Sequence, residues 1–251
     1  MDMQLKQKFI DRWHKYFPSI ELPIIFYYTN EEGRGELAPT PAGWNCVITD
    51  LVNVQHTGKS IYFDEKKVAC AGGKRYFGFM PQLRPNFEYF LSYGIPGKME
   101  GERYKKTPEL VKEHLVHQPS FEAPAKYIVF KRWDNLEEQD EPLAVIFFAQ
   151  PDILSGLFTL TNFDEPTPYG VFAPFGSGCS SVVYFPYKES QSDNPKAVLG
   201  MFDISARPCV QSNNLSFAVP FEKFVRMVNN MDESFLITES WKKVMNRLDR
   251  E

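Results

Sequence analysis

The sequence is short of most features that assign a function quickly. No run approaches the ~18 consecutive apolar residues of a membrane-spanning helix. Its 28 Lys and Arg are outnumbered by 32 Asp and Glu, a net charge of −4. No broad basic face can form, which argues against nucleic acid as a partner. There are only four His and four Cys. No two cysteines form a Cys-x-x-Cys pair, the spacing that makes a metal site legible from sequence. Met1-Asp2-Met3-Gln4-Leu5-Lys6 is not a basic stretch leading into an apolar one, so no secretory leader is expected. That reading implies a cytoplasmic protein with reduced thiols rather than a disulfide framework.

What is abundant is aromatic: 22 Phe and 12 Tyr, more than a helical bundle needs and suited to a sheet-rich core. Leu5, Phe9, Trp13 and Phe17 recur every fourth residue and predict an opening helix closed by Pro18. Leu22–Tyr28, Ser60–Phe63, Tyr127–Arg132, Leu143–Phe148, Gly170–Ala173, Ala197–Phe202 and Leu215–Val219 read as strands. Thr29–Gly43 reads as a long loop.

Helices are predicted from Cys46 to about His56 with Asn45 as cap and Gly58 as stop, and over Asn86–Tyr93. Others follow from Thr107 to His117, from a cap at Asp152, from Cys179, and over Pro220–Asn229 and Thr238–Leu248. Pro119 and Pro124 punctuate the middle of the chain. Strands and helices mix without strict alternation. The expected class is α+β, a single domain over residues 1–251 with a largely antiparallel or mixed sheet and flanking helices. Any seam falls near residues 95–124. A faint repeat pairs Leu22–Tyr28 and Cys46 with Leu143–Phe148 and Cys179; without other matching residues it reads as chance.

Three thiols stand where chemistry is favoured. Cys46 follows Trp44-Asn45 at a helix start. Cys70 opens Cys70-Ala71-Gly72-Gly73, and Cys179 sits in Gly176-Ser177-Gly178-Cys179-Ser180-Ser181. Helix N-termini and exposed backbone N–H groups favour thiolate, the form that binds metals and attacks electrophiles. An ordinary buried cysteine is instead a small hydrophobe. The glycine turn could form an anion nest, with Ser177, Gly178 and Ser180 facing a ligand oxygen. Lys74, Arg75 and Arg207 could hold an acidic group, although exposed arginines and lysines are commonly just solvated. His114 and His117 share a helix face without a completing acid, and His56 is too far along its helix to activate Cys46.

Asn45-Cys46 through Gly58, Ile61-Tyr62-Phe63, Cys70-Ala71-Gly72-Gly73 and Gly78-Phe79 together resemble the first signature of a family known as domain of unknown function 169. This is an uncharacterised archaeal and bacterial group also called ArCR. Gly176-Ser177-Gly178-Cys179, the Pro186 region, Ala197–Phe202 and Ala218-Val219-Pro220 resemble its second signature. The resemblance runs from about Pro23 to Met231 and implies no established activity. Its cysteine motifs match at Cys46, Cys70 and Cys179 and leave Cys209 outside.

The first expectation is therefore a site in which Cys46, Cys70 and Cys179 bind zinc or an iron–sulfur cluster, three thiolates leaving one position open. The alternative is a non-catalytic module for a small acidic ligand, held by Ser177, Gly178, Ser180, Arg207, Lys74 and Arg75. A thiol-dependent hydrolase or transferase is the third.

Overall fold

A computed structural model of the chain describes residues 1–32, 35–40, 42–43, 45–118 and 121–248. Trp44 and Pro119, and positions 33, 34 and 41 of the expected loop, lie outside them.

The elements run α1 (Met3–Tyr16), β1 (Ile24–Thr29), β2 (Glu36–Leu37), α2 (Val47–Thr57), β3 (Ile61–Phe63), α3 (Ala71–Tyr76), α4 (Phe87–Phe90), α5 (Pro108–Val116) and β4 (Tyr127–Arg132). They continue with β5 (Ala144–Ala149), α6 (Pro151–Thr161), β6 (Val171–Phe172), a π-helical turn Ser180–Tyr184 leading into α7 (Phe185–Glu189), β7 (Ala197–Gly200), β8 (Leu215–Pro220), α8 (Phe221–Asn230) and α9 (Glu239–Leu248). The eight strands form one mixed sheet, ordered β2-β3-β4-β1-β5-β8-β7-β6. The fold is α+β, as its strand and helix pattern predicts. Among the described residues no helix is long and apolar enough to cross a membrane.

Side chains alternate across a strand, so each central strand feeds two cores. Ile25, Tyr27, Val129, Val145, Phe147 and Phe217 face α1, α6, α8 and α9, where Trp13, Phe224 and Trp241 fill the space. Ile24, Phe26, Phe130, Ile146, Phe148 and Ala218 face the other way, toward α2, α3 and the π-helical turn. Cys46, Cys70 and Cys179 all lie in this second core. Burial on both faces explains why β1 and β5 are continuous apolar runs and not alternating ones.

The strand order contains a repetition. β1–β4 occupy the sheet as 2-3-4-1, and β5–β8 occupy it in the mirrored order 5-8-7-6. Pairing senses match as well: β2 and β3 are parallel, as are β6 and β7, and the remaining contacts are antiparallel. The registers of the inner pairs correspond residue by residue, Ile24↔Arg132 to Thr29↔Tyr127 in one half and Ala144↔Pro220 to Ala149↔Leu215 in the other. The halves join at β1 and β5, where Ile25 pairs with Val145. The repeat that looked like chance in the sequence is thus a property of the fold. Gly35-Glu36-Leu37-Ala38-Pro39 and Gly170-Val171-Phe172-Ala173-Pro174 share a Gly-x-x-Ala-Pro pattern at equivalent places.

Local chemistry shifts several boundaries. Asn45 does not cap α2, because its side-chain amide donates to the Asp50 carboxylate at 3.1 and 3.2 Å; Cys46 is the capping residue. Gly58 closes α2 in the left-handed region, φ 73°. Gln150 rather than Asp152 caps α6, since Pro151 takes the first helical position and its fixed φ suits that place. The helix expected over Asn86–Tyr93 shrinks to the single turn of α4, bracketed by Asn86 at φ 64° and Gly94 at φ 79°. The expected loop after β1 contributes β2, an edge strand of two residues.

Candidate functional site

Each half places one cysteine between its second and third strands and one between its third and fourth. Cys46 and Cys179 hold the first position, Cys70 and Cys209 the second. All four are free thiols.

Cys70 caps α3, and its sulfur accepts the Gly73 N–H at 3.2 Å. Gly73 is required by close approach. A Cβ there would stand 3.0 Å from Cys70 Sγ, 3.2 Å from Val47 Cγ1 and 2.7 Å from Val68 Cγ1. Val47 opens α2, and its backbone N–H also acts on Cys70. The Cys70 sulfur therefore lies where α2 and α3 both begin. The glycine turn reaches the same place: a Cβ at Gly178 would meet Ile48 of α2 at 3.3 Å and Ala206 at 3.0 Å. Ala206 adjoins the short turn Arg207–Cys209.

The thiols act on one another in two pairs. Hydrogen bonding from the Cys179 thiol is the main influence holding Cys70 down to about 6, with the N–H groups of Val47 and Gly73 adding to it and burial opposing it. The same contact, together with complete burial, pushes Cys179 well up. Burial above all, with the Cys209 thiol behind it, pushes Cys46 up to about 12. Each pair joins one half's first cysteine to the other half's second. Cys70, the thiol whose pKa is lowered, is 8% exposed, with Cys179 behind it at 4%. The π-helical turn after Cys179 belongs to a class of distortion common at functional sites.

Among the described residues, no three His, Cys, Asp or Glu side chains are grouped to hold a metal ion.

The expected anion nest is already filled from within. Asp203 Oδ2 accepts the Gly178 N–H at 3.1 Å. Ser180 donates through its N–H and its hydroxyl to the Ser177 carbonyl, at 3.0 and 2.7 Å. Arg207 is likewise engaged: its guanidinium donates to the carbonyls of Asn214, Ser212 and Gln211 and staples its own loop. Lys74 lies half-buried on α3, whereas Arg75 is turned inward and buried. His56 pairs with Glu21 at 2.6 Å at the far end of α2, away from Cys46.

A family model matches residues 22–230: domain of unknown function 169, described as Uncharacterised ArCR. The chain belongs to this family. The matched span runs from the approach to β1 to the end of α8, so the match covers both halves of this chain and the positions of all four cysteines. No curated protein and no solved structure matches the chain.

Sequence reasoning brought Cys46, Cys70 and Cys179 together but left out Cys209, which the second half places beside Cys46. The Gly-x-x-Ala-Pro repeat was the signal that could have found it. Asp203 and Gln118 carry no motif and emerge only from packing.

Proposed function

We propose that this protein works through a dithiol centre in which Cys70 is the reactive thiolate and Cys179 its resolving partner. The observation that carries this reading is the place of the Cys70 sulfur, which accepts the Gly73 N–H at 3.2 Å at the start of α3 and whose pKa the Cys179 thiol and the Val47 N–H hold down despite burial. A thiolate with a pKa just below neutrality combines a high ionised fraction with retained nucleophilicity.

The chemistry is thiol–disulfide exchange with a low-molecular-weight disulfide as oxidant. Cys70 sulfur attacks one sulfur of that disulfide, a bond forms, and the other sulfur leaves as thiolate. Cys179 gives its proton to the departing thiolate and attacks Cys70. The Cys70–Cys179 disulfide forms and the second small thiol is released, so two electrons pass from the protein to the oxidant. Treatment with a glutathione-type disulfide followed by peptide mass mapping tests this. A Cys70–Cys179 disulfide, with a mixed disulfide trapped on Cys70 in Cys179→Ser, is the expected result. Oxidation confined to Cys209 would overturn it.

Zinc or iron–sulfur binding by Cys46, Cys70 and Cys179 is the competing reading. It is favoured by the mutual influence of the thiols. Metal analysis of protein prepared without oxygen separates the two: stoichiometric zinc or iron released on alkylation supports the metal, and metal-free protein with a titratable Cys70 supports the dithiol.

A further inference from the structure

Arg75 is 5% exposed, yet no carboxylate of a described residue pairs with it. Among the described residues its Nη1 and Nη2 make long bonds to the carbonyls of Pro81 at 3.4 Å and Gln118 at 3.3 Å, and its guanidinium also acts on the neighbouring Tyr76 hydroxyl. Its Nε has no hydrogen-bond partner among the described residues. A buried guanidinium without a counter-charge is costly, and an unmade bond to it more so. Beside it lies Gln118, 3% exposed. The Tyr76 hydroxyl donates to Gln118 Oε1 at 3.3 Å, which fixes the amide, and Gln118 Nε2 is left without a partner. Two buried donors, one of them cationic, therefore stand unsatisfied in one cluster.

The amide Nε2 lies beside Gly176: a Cβ there would lie 3.2 Å from it, with the Ser180 hydroxyl closer still. Gly176 and Ser177 are half-buried, so the cluster approaches the surface at this point. The rim carries Phe175, with Lys105 Nζ 4.6 Å over its ring and the His114 ring 5.8 Å away. Asp203, the acid nearest in influence to Cys179, is engaged by the Gly178 N–H, the Tyr104 hydroxyl and Ser205, and does not neutralise Arg75.

We infer that Arg75 and Gln118 form the recognition site for a small carboxylate, entering past Gly176 and Phe175 and accepting from Arg75 Nε and Gln118 Nε2. One buried positive charge and two free donors match a monoanionic carboxylate better than a phosphate, whose extra charge and oxygens would find no further donors here. The inference rests on these two side chains and not on the reactivity of Cys70. If both hold, the ligand's carboxylate is anchored on the flank of the thiol pair, through Tyr76, whose hydroxyl lies within the influence of Cys179 and Ser177.

The test is thermal melting of the full chain in sodium acetate or formate against sodium chloride at equal ionic strength. A saturable rise in Tm with the carboxylates and none with chloride is expected. Gln118→Leu should lose the rise. Gln118→Glu should melt higher than wild type without ligand, because it supplies its own carboxylate, and should no longer respond to acetate. Cys70→Ser should keep the response, which separates this site from the thiolate reading. Equal rises with chloride, an undiminished acetate response in Gln118→Leu and Gln118→Glu, a larger rise with inorganic phosphate, or loss of the response in Cys70→Ser would each overturn it.

Discussion

The two halves of the sheet share strand order, pairing sense and inner register, yet their second cysteines live under different conditions. Cys70 caps α3 and takes N–H groups from Val47 and Gly73. Cys209, in the equivalent connection, sits in a three-residue turn whose Arg207 donates to the carbonyls of Asn214 and Ser212 and closes a loop. The sheet supplies equal positions, and the connection decides which backbone N–H groups a thiol there meets. Thiolate stabilisation is local: it depends on which backbone N–H groups lie within hydrogen-bond reach. In this chain the first half built a helix at that point and the second half did not.

The sharpest way to break the comparison is reactivity. At pH 7 a thiol with a pKa of about 6 is mostly thiolate, whereas one near the ordinary value is ionised to roughly one part in a hundred. Cys70→Ser should therefore lower the rate of iodoacetamide labelling by about 100-fold, and Cys209→Ser should change the fast phase by less than about twofold. Stopped labelling with mass analysis reads both. Equal losses in the two variants would show that the halves are chemically alike.

A smaller effect is expected in the helix that separates them. Gly73→Ala forces a methyl against Val68, Cys70 and Val47 and should destabilise by about 1–3 kcal/mol. Its neighbour Gly72 has open space, so Gly72→Ala should stabilise by up to about 1 kcal/mol through helix propensity. Urea unfolding of the two variants decides it, and Gly73→Ala should also slow Cys70 labelling.

The two cysteines also differ in what they do to the pH dependence of stability. Cys70 has a folded pKa below its unfolded value, so its contribution to stability is fully present above about pH 9 and is lost as pH falls through about 6. Cys46 is displaced the other way, so its contribution is fully present below about pH 9 and declines as pH rises toward about 12. Between pH 6 and 9, stability should carry a rising component that Cys70→Ser removes and Cys209→Ser leaves in place. Unfolding free energies across that window, compared among the three proteins, measure it.

Much of this was legible before any fold was known. The four-residue spacing of Leu5, Phe9 and Trp13 marked α1, and the apolar runs marked β1, β4, β5 and β8. Thr107-Pro108 marked the start of α5. Cys46, Cys70 and Cys179 stood out because glycines and cap positions are local signals. The ligand role expected of Arg207 and of the Gly176–Ser181 turn had the right residue types, but their donors are taken up by carbonyls and by Asp203. Arg75 was one cation among several in the sequence, and only its burial singles it out.

The sequence by itself determined the α+β character, the helix starts that carry three thiols, and a net charge of −4, because capping, periodicity and composition are set by the residues themselves. Only the tertiary structure decided that Cys209 joins Cys46, that Cys179 supports Cys70, and that Arg75 and Gln118 are left with unmatched donors. Those outcomes depend on which distant segments a shared sheet brings side by side, and hydrogen bonding and burial act on neighbours in space.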